Sequence, residues 1–157
     1  MQISLKVNGK DYSADIEPRL TLLDFLRDHL GLTGTKSDGG STSGACTVLL
    51  DGVSVKSSYV LAIQSDGCQV TTIEGVSPEN GQLSRLQEAL WESSAVQNGY
   101  STPGLIMSLT EFLANNNNPD EKSIRHWLDG VLSRETGYQS IVTAVLSLAD
   151  KSHESCT

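Results

Sequence analysis

Cysteine is scarce in this chain, with only Cys46, Cys68 and Cys156 among 157 residues. Three thiols so spaced form no disulfide framework. Aromatic residues are also few, at 5%, and proline occurs only four times. Basic side chains number 11 against 19 acidic ones, for a net charge of −8. That balance argues against nucleic acid or an anionic membrane as partner and is the ordinary charge of a soluble surface. No stretch approaches the ~18 consecutive apolar residues of a membrane span. The opening MQISLKVNGKDY alternates like a strand and lacks the apolar run of a secretory signal, so a cytoplasmic location is expected.

What is present falls into two halves. Ile3 to Val7 and Tyr12 to Ile16 alternate apolar with polar around Asn8-Gly9-Lys10, a hairpin signal. Thr21-Leu22-Leu23-Asp24 has the form of a capping box and leads an apolar face of Leu22, Phe25 and Leu26. Gly31 is the C-cap candidate, and His29 suits the last turn. A long Gly/Ser loop follows, then a strand over Thr47 to Leu50. The segments VLLDG and VKSSYVLAIQ read as further strand or short helix, and Gln69 to Ile73 as a closing strand. Strand, strand, helix, long loop, strand is the order of a β-grasp ferredoxin fold. Glu74 to Gln82 is turn-rich and marks a connector.

Beyond it the apolar period becomes helical. Leu83, Leu86, Leu90 and Trp91 mark one helix, and Leu105, Ile106, Leu109, Phe112 and Leu113 a second. A third is predicted with Asn118 as its cap and Pro119 at its first position, carrying Ile124, Trp127 and Leu128. A fourth is predicted from Thr136 through Leu148. Short connections between four such helices favour a bundle. The expected core residues are Leu22, Phe25, Leu105, Leu109, Phe112, Ile124 and Leu146. The fold class is therefore α+β, with a β-grasp domain over residues 1–76, a connector at 77–82, a four-helix bundle over 83–149 and a flexible tail at 150–157.

Four segments, GTKSDGGSTSGACTV, VSVKSSYVLAIQ, QNGYSTPGLIM and GVLSRETGYQSIV, occur in an order and spacing that resemble the small two-cluster [2Fe–2S] subunit of the molybdenum hydroxylases. That family includes xanthine, aldehyde and carbon monoxide dehydrogenases. The resemblance implies a plant-type ferredoxin domain, a helical domain with a second cluster, and eight cysteine ligands. In this chain seven of the eight positions hold other residues. The first-domain positions are Asp38, Ser43, Cys46 and Ser58; the loop is one residue shorter than the family form, so Ser37 is an alternative to Asp38. The second-domain positions are Asn98, Ser101, Ser133 and Glu135. Their mixture, with Cys46 retained, has the look of natural divergence.

A cluster needs soft thiolates, and hydroxyl or amide oxygens are poor substitutes. The expectation is therefore that neither cluster forms, and that no cofactor, metal or catalytic residue belongs to the chain. Asn98, Ser101, Ser133 and Glu135 offer one carboxylate, too little for a dedicated Mg²⁺ or Ca²⁺ site. A hydrogen-bonded polar cluster with Glu135 near Arg134 or Lys122 is expected there, with more mobility around Ser37 to Cys46. The Gly/Ser loop lacks the Gly-Lys-Ser/Thr ending of a phosphate cradle. Thr102-Pro103 and Thr136 also make helix starts that need no ligand. His29, His126 and His153 are scattered, and no nucleophile has a base beside it.

By the resemblance, a large molybdopterin-type subunit, a flavin subunit or both are the partners. Their contact surface falls on Tyr100, Ser101, Thr102, Arg134, Glu135 and Tyr138. The function expected is a structural or assembly subunit unable to relay electrons. Alternatives are a free-standing binding or regulatory module, which could be a homodimer, and an electron-transfer subunit with unusual ligands.

Overall fold

The computed structural model describes residues 1–37, 42–77, 81–133 and 137–154, with side chains to 148. The hairpin β1 (Gln2–Val7) and β2 (Lys10–Asp15) closes through Asn8 and Gly9 at φ 49° and 80°, the doubly left-handed turn that Asn-Gly tolerates. Along β1 the side chains alternate, with Ile3, Leu5 and Val7 turned inward. β3 (Thr47–Leu50) and β4 (Val53–Lys56) form a second hairpin through Asp51-Gly52, again at positive φ. β5 (Gln69–Thr71) lies between the hairpins, parallel to β1 and antiparallel to β3, giving the sheet order β2-β1-β5-β3-β4.

One short helix crosses this sheet. α1 (Leu22–Asp24) is capped by Thr21, whose Oγ1 accepts from the Asp24 N–H at 3.1 Å. It runs on as a π-helical turn over Phe25–His29 and ends before Gly31 at φ 70°. Leu22, Phe25 and Leu26 are fully buried against Val48, Val70 and Ala62.

The second half contributes α2 (Arg85–Glu92), α3 (Thr102–Asn115), α4 (Glu121–Leu128) and α5 (Gln139–Glu154). They share a separate core in which Leu90, Leu109, Ile124 and Val142 are fully enclosed. At ~1.5–3 kcal/mol per large side chain, such burial holds each core together. Several predicted positions shift. Leu83 precedes α2 and is 46% exposed, and Trp91 faces outward at 72% exposure. The capping box of α2 is Ser84 with Gln87. Asp120, rather than Asn118, caps α4 by accepting from the Ser123 N–H at 2.8 Å. α5 begins at Gln139, after Gly137 and Tyr138 at positive φ, and continues to Glu154, into the segment expected as a tail. Leu146 is only partly buried. Among the described residues no helix is long and apolar enough to cross a membrane.

Candidate functional site: two back-to-back ligand loops

The start of α3 is organised by Asn98. Its Oδ1 accepts from the N–H groups of Tyr100 at 2.7 Å and Ser101 at 3.1 Å, while its carbonyl accepts from Thr102 Oγ1 at 2.6 Å. These bonds close the turn that leads into α3, and the one from Ser101 satisfies the N–H of the residue that caps the helix. Ser133 Oγ donates to Ser101 Oγ at 3.4 Å, bringing the two strips together across 32 residues of sequence. Tyr138 pins the second strip: its hydroxyl accepts from the Ser133 N–H at 2.9 Å and donates to the Val131 carbonyl at 2.8 Å. Space left between Ser101, Thr102, Ser133 and Tyr138 amounts to about 10 Å³. That is no more than one water molecule occupies.

In the first half, Cys46 Sγ lies 3.2 Å from Ser58 Oγ. Cys46 is buried, and its carbonyl accepts from both the N–H and the hydroxyl of Ser57, at 3.1 Å and 2.6 Å. Ser43 Oγ accepts from the Ala45 N–H at 3.2 Å. The two loops touch through their backbones: the Ser43 carbonyl accepts from the Leu132 N–H at 2.9 Å. Gly104 in α3 lies so close to Gly44 that an added Cβ would sit 2.1 Å from the Gly44 oxygen. Gly44 holds φ 80°, and a Cβ added there would lie 2.9 Å from the Gly130 carbonyl oxygen. Cys68, the other free thiol among the described residues, is pushed up in pKa first by burial and then by Asp51, so it stays protonated.

The structure thus brings together Asn98, Ser101 and Ser133, and separately Cys46 and Ser58. Asp38, Arg134 and Glu135 lie outside the described residues, as does part of the loop for which mobility was expected. Of the expected contact surface, Tyr100 is 45% exposed, Ser101 and Thr102 are half-buried, and Tyr138 spends its hydroxyl inside the loop. Sequence reasoning missed Leu132, an aliphatic side chain 58% exposed beside Ser133. It also missed Gly44 and Gly104, whose GAC and TPG triplets carry the close approach. Among the described residues no group of three or more His, Cys, Asp or Glu side chains could hold a metal ion.

A sheet with a covering helix, followed by a helical half whose loops meet the first across glycine contacts, defines the class as two-part ferredoxin-like subunits. Residues 72–146 match the model of a [2Fe–2S] binding domain. The small subunit of nicotine 6-hydroxylase from Paenarthrobacter nicotinovorans is 43% identical over 147 residues, covering 93% of this chain and 88% of that one. The iron–sulfur-binding subunit of xanthine dehydrogenase from Escherichia coli O157:H7 is 40% identical, covering 92% and 91%. Quinoline 2-oxidoreductase from Pseudomonas putida 86 superposes with a TM-score of 0.91 at 36% identity, covering 98% of this chain and 96% of that chain. The chain belongs to the family of small iron–sulfur subunits of molybdenum hydroxylases.

These matches correct one expectation. The absence of any cofactor is overturned by homology, which points to a [2Fe–2S] cluster as the group associated with this scaffold. The donors at the matched positions are of a different kind. Such a cluster is held by four thiolates. The described positions supply one thiol, Cys46, with the hydroxyls of Ser43, Ser58, Ser101 and Ser133 and the amide of Asn98. That set does not fit a thiolate-held cluster.

Proposed function

We propose that this chain is the small subunit of a cytoplasmic oxidoreductase of the molybdenum-hydroxylase type. Its contribution is assembly rather than electron relay: it seats a large molybdopterin-type subunit and, on its other side, a flavin subunit. The helical half, read as a four-helix bundle, supplies the docking face. The observation that carries this reading is the exposed pair Tyr100 and Leu132 flanking a loop whose interior polar groups are already bonded to one another. Apolar and aromatic side chains on a rigid, polar-rimmed loop are the anchors from which protein interfaces draw most of their energy. The relatives support the same reading, since they are named as subunits.

Native purification of the chain from its source, with mass determination and pterin analysis, tests the proposal. A complex containing a larger, molybdopterin-bearing chain is expected. Leu132→Glu should weaken that complex at least tenfold, as burial of an unpaired charge at an interface core would. The variant should keep its fold, because Leu132 is mostly exposed. Tyr138→Ala is the poorer probe, since it also removes two internal hydrogen bonds. Recovery of this chain alone, as monomer or homodimer, refutes the reading in favour of a free-standing module.

A further inference from the structure

Gly75 and Val76 after β5, the start of α2, the end of α3 and Leu148 of α5 enclose a groove of about 650 Å³ that shares no lining residue with the ligand loops. Its volume lies in the range of small-molecule sites, about 300–1,000 Å³. Val76, Leu113 and Leu148 form its apolar wall and pack against the helical core behind them. Most polar groups on the rim are already committed. Asn116 Nδ2 donates to the Phe112 carbonyl at 2.8 Å, and Thr110 Oγ1 donates to the Ile106 carbonyl at 2.7 Å.

Arg85 is the exception. It lines the groove, and no ion pair or hydrogen bond engages its guanidinium among the described residues. In a chain of net charge −8, an uncommitted guanidinium beside an apolar wall is a specific feature. Arg19 and Arg125, by contrast, hold the carboxylates of Glu17 and Glu121. The exposed amide of Asn117 lies on the same rim, with hydrogen-bonding capacity in hand. A guanidinium presents parallel N–H donors that match a carboxylate in a bidentate fork. An apolar wall beside such a fork fits an amphipathic anion: carboxylate on Arg85, hydrocarbon or ring against Val76, Leu113 and Leu148.

We propose that this groove binds a small apolar carboxylate. The site is independent of the ligand loops, and its occupation bridges Gly75 and Val76 to the helical half. It neither requires nor excludes the docking role proposed above. A volume of about 650 Å³ within the range of small-molecule sites, beside a single guanidinium, favours a small molecule as occupant.

The test is titration of the isotope-labelled full chain with 3-phenylpropanoate, followed by backbone amide NMR, with 3-phenylpropanamide as neutral control. Saturable shifts confined to residues around Val76, Arg85, Leu113 and Asn117 are expected, with the amide binding at least tenfold more weakly. Arg85→Gln should lower carboxylate affinity about tenfold or more, the effect of losing a hydrogen bond to a charged group. Its unligated spectrum should match the parent's, because Arg85 is exposed and no hydrogen bond or ion pair engages it among the described residues. Absence of saturation up to ~10 mM, far weaker than the ~1 mM that marks even modest affinity, overturns the proposal. Equal binding of acid and amide, or shifts centred elsewhere, overturns it as well. Binding of an acidic, apolar peptide without the small acid would assign the groove to a protein partner and would also overturn it. The unaltered chain with its two probes decides the matter even if Arg85→Gln fails to fold.

Discussion

Replacing Gly104 by alanine adds a single methyl group at the closest backbone approach found at any described glycine. An alanine Cβ there would lie 2.1 Å from the Gly44 oxygen, 2.9 Å from Ala45 Cα and 3.0 Å from the Gly44 carbonyl carbon. Real Cβ contacts essentially never fall below 3.0 Å, so α3 and the Gly44–Ala45 strip must separate by about 0.9 Å. Neither side can yield through a flexible side chain, since both are backbone. Overpacking of this kind costs about 3 kcal/mol, the upper part of the usual range. Alanine returns up to about 1 kcal/mol as the better helix former. A net loss of about 2 kcal/mol remains, corresponding to about 4–8 °C in Tm for a chain of this size. Thermal unfolding followed by circular dichroism measures it. Gly130→Ala is the control, because its Cβ would find its nearest neighbour, the Trp127 carbonyl oxygen, at an ordinary 3.7 Å. It should change stability by less than about 0.5 kcal/mol. Equal melting of Gly104→Ala and the parent would refute the claim that the two halves are locked at this crossing.

Leu109→Ala empties a fully buried position in the helical core and should cost about 2–5 kcal/mol by urea denaturation. Leu83→Ala, at a side chain expected to mark the first helix of the second half but preceding α2 and 46% exposed, should cost less than about 0.5 kcal/mol. Hydrogen bonds from Ser123 hold the Asp120 carboxyl below the usual carboxylate range. Because the folded value is lowered, its contribution is present above the ordinary Asp value of about 4 and is lost as pH falls through the lowered one. Asp120→Asn keeps a good cap without the titration. The parent should therefore lose stability relative to this variant in acid melts below about pH 4, and parallel curves down to pH 2 would contradict the assignment.

Local chemistry made much of the fold legible. Asn8-Gly9 announced its hairpin, Thr21 its helix start and Gly31 the helix end, because each acts through its own backbone neighbours. Asp51-Gly52 carried the same hairpin signal but was absorbed into a strand-or-helix reading of VLLDG. Asn118-Pro119-Asp120 contains two plausible helix starts, and only the bond from Ser123 selects Asp120. Trp91 falls on the helical period yet points outward, since eight residues of α2 bury only Leu86, Ala89 and Leu90. The π-helical turn over Phe25–His29 has no sequence signal that we can identify. The pairing of ligand loops was visible only through family resemblance. No periodicity relates Ser101 to Ser133 or Gly44 to Gly104, because those contacts depend on how two cores pack.

That division explains how donor residues can change while the framework persists. Gly44 and Gly104 are required by a backbone crossing, Tyr138 by the two bonds that shape its loop, and Pro103 by the first turn of α3. None of these requirements refers to what a ligand side chain donates. Asn98, Ser101 and Ser133 instead satisfy one another and the helix N-terminus, so the loop geometry is held by hydrogen bonds within the chain. The outer surface of that geometry carries the exposed side chains of Tyr100 and Leu132. Identity of 43% to a small hydroxylase subunit therefore goes together with oxygen and amide side chains at these loop positions, because the backbone crossing and the internal hydrogen bonds hold the loops whatever those side chains donate.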